Sequence, residues 1–297
     1  MNRTLALLAA LAFAAAASAQ EGTLKKIKDT GSITIGHRDA SIPFSYYDDQ
    51  QKPIGYSMDL CHRIVDAVKS ELKMPKVDIK YQLVTSANRI PLMANGTIGL
   101  ECGSTTNNLE RQKQVWFTIT HFVTANRFVS KRSAKLNTLE DLKGKTVVST
   151  AGTTNIKQIT ELNTQKNLGA NIVSANGHPE AFLMVETGRA AAFVMDDILL
   201  YSLVATSKSP KDYVISKDAL SVEPYGIMLR KDDEAFKKVV DAAMTGLYKS
   251  GQVNAIYQKW FQKPIPPKNV NLNLPMSEQL KKVIAKPTSS GDPNDYK

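Results

Sequence analysis

Two stretches of this chain carry the same pattern. "LMANGTIGLECGS" (92–104) and "LMVETGRAAAFVMD" (183–196) each run from a helix-like segment through a glycine into a β-rich run. Each then ends on a polar residue eight positions after the glycine, Gly96 to Ser104 and Gly188 to Asp196. A unit used twice constrains the chain to two α/β lobes built alike, each bringing a polar strand end to the same place.

The flanking sequence fits that frame. "SITIGHRD" reads as a strand, and "YSMDLCHRIVDAVKSEL" as a helix with Leu60, Ile64, Val68 and Leu72 on one face. "VDIKYQLV" alternates as a strand, and "NRIPLMANG" is a helix in which Pro91 is tolerated near the first turn. Strand and helix in alternation predict parallel βαβ units. The pattern restarts at "TLEDLKGKTVVSTAGTTN", with a capping-box-like Thr138/Asp141 helix start, a strand and a Gly-Thr-Thr loop. Two long β-like stretches, "FTITHFVTANRFVSKR" and "LSVEPYGIMLRK", have no helix between lobes and read as crossover strands. The second returns the chain to the first lobe, where "DEAFKKVVDAAMTGLYKSG" and "NAIYQKWF" supply closing helices. The expected organisation is a discontinuous first lobe (22–124 and 224–286), a second lobe (125–223) and a disordered tail (287–297), "PTSSGDPNDYK".

The first residues, "MNRTLALLAALAFAAAASAQ", place one cation before an apolar run that ends in Ala17-Ser18-Ala19, the pattern of a cleavable secretory signal over residues 1–19. The run is too short to span a bilayer, which takes roughly 20 apolar residues. Residue 20 is Gln where a lipid-anchored form would need Cys. Export into the periplasm as a monomer is therefore expected, in an oxidising compartment where Cys61 and Cys102 admit either a disulfide or two separately buried thiols. The net charge of +10 is spread along the chain with acids interspersed, so it reads as a solvated basic surface and no nucleic-acid partner is expected.

In open α/β sheets, ligands bind beyond the carboxyl ends of the strands, where helix N-termini also point free amides. The loops expected there, "GHRDAS", "TSANR", "CGSTTNN" and "TAGTTN", are rich in hydroxyls or arginine, and "VMDD" ends in carboxylates. By chemistry, Arg111 with Ser104, Thr106, Thr153 and Thr154 would satisfy one carboxylate, and Asp196 would accept from an ammonium. Carboxylate plus ammonium means an amino acid. Arg38 and Arg89, with Ser86 and His178, imply a second anionic group, because buried cations are costly unless paired. Taken singly, each residue has a local alternative: a surface ion pair for any of the arginines, a helix cap for the hydroxyls or for Asp196. Their coincidence at strand ends favours the ligand reading.

These motifs, "GHRDASIPFSYYD", "ECGSTTNNLERQKQ", "AGTT", "GRAAAFVMDD" and "YGIMLRKDD", resemble the polar-amino-acid branch of bacterial extracellular solute-binding proteins, over nearly the whole chain after the signal. Within that branch the resemblance is to the members that serve glutamate/aspartate ABC importers. It implies an α/β, two-lobed, hinged periplasmic binding protein fold of type II, each lobe a mixed sheet flanked by helices. It also implies that Arg111, Ser104, Thr106 and Thr154 hold the α-carboxylate and Asp196 the α-ammonium. Arg38, Ser86, Arg89 and His178 would hold the side-chain carboxylate. The implied partners are L-glutamate or L-aspartate and an ABC permease, with no cofactor or metal.

Other classes fit less well. Ser104 lacks a G-x-S-x-G frame, the four histidines lack metal-ligand spacing, and no GxGxxG occurs. A dehydratase on the same fold is the best enzymatic alternative, and a ligand sensor serving a receptor is the other.

Overall fold

The computed structural model describes residues 22–297, so the expected signal peptide lies outside the described residues. Helix α1 (Thr23–Thr30) leads into β1 (Ser32–His37), then a small sheet of β2 (Ala40–Ser41), β3 (Ser45–Tyr47) and β4 (Pro53–Ile54). Next come α2 (Tyr56–Glu71), β5 (Asp78–Leu83), α3 (Arg89–Ala94), β6 (Leu100–Glu101) and β7 (Val115–Phe117). The chain crosses on β8 (Phe122–Lys131) to β9 (Thr146–Thr150), α4 (Thr154–Gln165), β10 (Asn171–Ala175) and α5 (His178–Glu186). There follow β11 (Ala192–Asp196), α6 (Asp197–Thr206) and β12 (Tyr213–Ile215). It returns on β13 (Ser221–Tyr225) to β14 (Met228–Arg230), α7 (Glu234–Lys249), α8 (Gln252–Phe261) and α9 (Glu278–Ala285).

The two main sheets have one design. The first is ordered β5-β1-β6-β14-β7 and the second β10-β9-β11-β8-β12. In each, three parallel strands carry the second, first and third in that order, and an antiparallel crossover strand lies beside the third. The repeated motif occupies the same station in both, as α3–β6 and α5–β11. Its glycine is left-handed in both copies, φ +75° at Gly96 and +76° at Gly188, a conformation that a residue with a Cβ adopts only under strain.

Burial explains the strand sequences. β11 is buried at every position and β9 at all but its first, covered on both faces as parallel strands are; β11 is apolar up to Asp196, whereas β9 buries Ser149 and Thr150 beside two valines. β5 is an edge strand and mostly exposed. Leu60, Ile64 and Val68 of α2 are fully buried, and α2 packs against α7. Cys61 and Cys102 are joined, their Cα atoms 6.3 Å apart across a separation of 41 residues, so α2 is tied to the end of β6. β8 and β13 form the antiparallel crossover ribbon, from Phe122 opposite Tyr225 to Asn126 opposite Ser221.

Two expectations need correction. The Thr138/Asp141 segment is not a capped α-helix but a single 3-10 turn at Glu140–Leu142, ended by Gly144 at φ +67°. Asp141 there accepts from the backbone N–H groups of Asn137 (2.7 Å) and Thr138 (2.9 Å). The tail is not disordered. Thr288 accepts from the Thr120 N–H (2.8 Å), Ser289 and Ser290 accept from Asn107 Nδ2, and Tyr296 is buried with its hydroxyl 2.7 Å from Thr120 Oγ1. The polar composition misled because the tail is held through its backbone carbonyls and one aromatic ring. Among the described residues no helix is long and apolar enough to cross a membrane.

Candidate functional site

Six parallel strands, three per lobe, end at one cleft. Arg38 follows β1, Ser86 and Arg89 follow β5, Ser104 and Thr106 follow β6, Thr153 and Thr154 follow β9, His178 follows β10, and Asp196 ends β11. Eight of these nine are buried and Thr154 is half-buried. Arg111 reaches the cleft from the 3-10 turn Arg111–Lys113. The lobes meet there: Arg111 donates from Nη1 to Thr106 O in its own lobe (2.8 Å) and from Nη2 to Gly152 O in the other (3.3 Å).

One end of the cleft is cationic. Arg38, Arg89 and His178 lie close enough for both guanidiniums to act on the imidazole, and burial followed by those charges holds His178 well below its ordinary pKa. Its Nδ1 is 2.8 Å from Thr150 Oγ1, and with the hydroxyl donating, Nε2 carries the hydrogen of the neutral ring. Burial, then Arg89, pulls Arg38 down to about 10. Nε and Nη1 of Arg38, Nε of Arg89, Nε2 of His178 and the hydroxyls of Ser86 and Ser104 are buried without a hydrogen-bond partner among the described residues. Buried polar groups are normally satisfied, so six such atoms in one cleft point to a ligand.

Sequence reasoning missed a counter-ion here. Glu101 is wholly buried, its Oε1 3.9 Å from Arg89 Nη1, and its Oε2 accepts from Thr105 Oγ1, which itself accepts from Arg89. The cations are thus partly compensated from below. Of the three successive hydroxyls, Thr105 turns to this acid while those of its neighbours do not, as the two-residue alternation of extended chain dictates. The signal was available: Glu101 is the one charge in an otherwise apolar strand.

The other end is acidic. Asp196 accepts from Asn155 Nδ2 (2.7 Å) and from the Tyr225 hydroxyl. Burial, then the charge of Glu223, raises it to about 7. It makes no side-chain cap for α6, although it stands at the cap position, and Asp197 turns away to Arg127 (3.1 Å). Thr153 and Thr154 differ from expectation. Thr153 Oγ1 caps α4 by accepting from Ile156 N–H (3.2 Å) and donates to Thr150 O (2.7 Å), and Thr154 Oγ1 donates to Glu223 Oε2 (3.0 Å). Local capping and a hinge acid have claimed both hydroxyls, so the start of α4 offers the cleft its free backbone amides. Asn155, Glu223 and Tyr225 were not singled out from sequence; "VEPY" reads only as crossover strand.

Two like lobes, paired strands between them and a polar cleft at their strand ends make this a two-lobed periplasmic binding protein fold. Residues 33–263 match the profile of the bacterial extracellular solute-binding proteins, family 3, and the chain belongs to that family. It is 58% identical over 268 residues to the L-glutamate/L-aspartate-binding protein of Pseudomonas aeruginosa, covering 90% of this chain and 89% of that one. To the glutamate/aspartate import solute-binding protein of Escherichia coli it is 46% identical over 284 residues, 95% of this chain and 94% of that one. Among solved structures, a mutant of ArgBP from T. maritima superposes with TM-score 0.72 at 29% identity, covering 81% of this chain and 99% of that one.

Proposed function

We propose that this protein is the periplasmic binding subunit of an ABC importer for acidic amino acids, capturing L-glutamate or L-aspartate between its lobes and presenting it to the membrane permease. The observation that supports this best is the set of six unpartnered donors on Arg38, Ser86, Arg89, Ser104 and His178. They suit a side-chain carboxylate. Arg111, Thr106 and the amides at the start of α4 take the α-carboxylate, where a helix N-terminus adds its own attraction for anions. Asp196 takes the α-ammonium. The order of charges along the cleft, cationic, cationic, acidic, is the complement of a dicarboxylic amino acid. The names of the two relatives above point the same way.

All three arginines belong to the first lobe, so the ligand docks there first. Asp196 and α4 then favour the closed form only when ligand is present, a shift in population set by differential affinity. The site works as a binding site, not a catalytic one: Asp196 is engaged by Asn155 and Tyr225, and His178 stays neutral between two cations. Among the described residues no cluster of His, Cys, Asp or Glu could hold a metal ion. Titration calorimetry with glutamate, aspartate, glutamine and asparagine tests the reading. Acid-selective binding is expected; equal binding of the amides, or turnover of any of the four, overturns it.

A further inference from the structure

The acidic end of the cleft contains two buried carboxylates, and the reading above uses only one. Glu223 is 1% exposed at the middle of β13, on the crossover ribbon. It accepts from Thr154 Oγ1 (3.0 Å), from Gln158 Nε2 (2.6 Å) and from the Ser221 hydroxyl. Thr154 and Gln158 stand one turn apart on α4. Asp196 is clasped by the neighbours of these residues: Asn155, next along α4, and Tyr225, two places on and on the same face of β13. The same helix and the same strand therefore grip both acids.

The three donors to Glu223 suit a carboxylate, yet anchoring β13 to α4 does not by itself call for a second acid beside Asp196. A glutamine has one acceptor oxygen where Thr154 and Ser221 meet two different oxygens of Glu223, and a second buried carboxylate beside Asp196 is costly, with Arg111 of the first lobe a cation that acts on both. We propose that Glu223 is the second acid of the ammonium subsite, a positioning residue that makes an unpaired Asp196 costly and fixes the first turn of α4 through Thr154. This rests on the reading of Asp196 as the partner of the ligand ammonium. The groups facing Asp196 are Glu223 and Tyr225 from β13, neutral Asn155 from α4, Asp197 from α6, already paired with Arg127 of β8, and Arg111 from the first lobe.

The consequence is a pH dependence of binding. With Asp196 raised to about 7, it takes up a proton as the pH falls through that value, and the ammonium must displace this proton to bind. Affinity is full above that range and declines below it, by up to about tenfold per pH unit. Removing the Glu223 charge lowers Asp196 and moves the decline to lower pH.

Calorimetric titration of the full mature chain with L-glutamate from pH 6 to pH 8, in buffers of different ionisation enthalpy to count protons, tests this. Wild type should weaken about tenfold from pH 8 to pH 6 and release protons on binding near pH 6.5. Glu223→Gln should weaken less than about threefold over the same range. Glu223→Asp should restore the wild-type profile. A wild-type profile in Glu223→Gln overturns the proposal, as does binding without proton release in wild type, a result that stands even if the Gln variant does not fold. Asp196→Asn separates the two readings. If it binds glutamate as wild type does, the ammonium assignment fails; if it binds weakly while Glu223→Gln keeps the wild-type profile, only the role of Glu223 fails.

Discussion

Replacing Arg38 by methionine keeps the aliphatic stem and removes the guanidinium. Two of its nitrogens, Nε and Nη1, are buried with no protein partner, so the ligand side-chain carboxylate is their proposed acceptor. Hydrogen bonds to charged groups contribute ~1.5–3 kcal/mol each, and truncating one partner of a buried charged pair costs about 2–5 kcal/mol. Loss of both bonds should therefore weaken glutamate by about 3–5 kcal/mol, or roughly 150- to 4,000-fold in Kd. The repulsion between Arg38 and Arg89 is relieved at the same time, so the unliganded protein should melt no lower than wild type. Calorimetry with paired ligands is the assay. Glutamate and aspartate should lose far more affinity than glutamine and asparagine, whereas Arg111→Met should weaken all four together, because every amino acid has an α-carboxylate. If Arg38→Met weakened glutamate and glutamine equally, the assignment of the cationic end to the side-chain carboxylate would be refuted.

Reduction of the Cys61–Cys102 bridge, or Cys61→Ser with Cys102→Ser, opens a loop spanning 41 residues and should cost about 4 kcal/mol, measured by denaturant unfolding with and without reductant; a loss under ~1 kcal/mol would show that the tie is redundant. His121 is fully buried with both ring nitrogens unpartnered among the described residues, and burial lowers it to about 3. The unfolded chain protonates this residue below about 6.5 and the folded chain does not, so its contribution is neutral above that value and destabilising below it. Between pH 7 and pH 5 it should remove about 2 kcal/mol, a loss that His121→Phe escapes in urea titrations at the two values. Truncation after Pro287 should weaken glutamate and glutamine alike, because the tail braces Asn107 and Gln112 beside Arg111 through its carbonyls. Unchanged calorimetric affinity would make the tail a passive cover.

The two-lobed plan is legible because strand and helix alternate along the chain and because one motif recurs at Gly96 and Gly188. The strand-end rule groups Arg38, Ser86, Arg89, Ser104, His178 and Asp196 from the sequence alone. What stayed hidden depends on partners distant in sequence. Whether the Thr154 hydroxyl faces a ligand or an acid is decided by Glu223, 69 positions on. Glu101 is a counter-ion only because α3 swings Arg89 over it. The tail defeated composition because a carbonyl acceptor looks the same in every sequence.

The contact at Gly152 has a further consequence. Its backbone packs so tightly on the first lobe that a Cβ built there would stand 2.5 Å from the Cα of Ala87. The two halves shut flush at that point, like the jaws of a caliper with no shim between them. A guest one or two atoms too long must hold them ajar, so the gap between the halves itself measures the cargo, and size is screened by how fully the jaws come together as well as by the charges that line them.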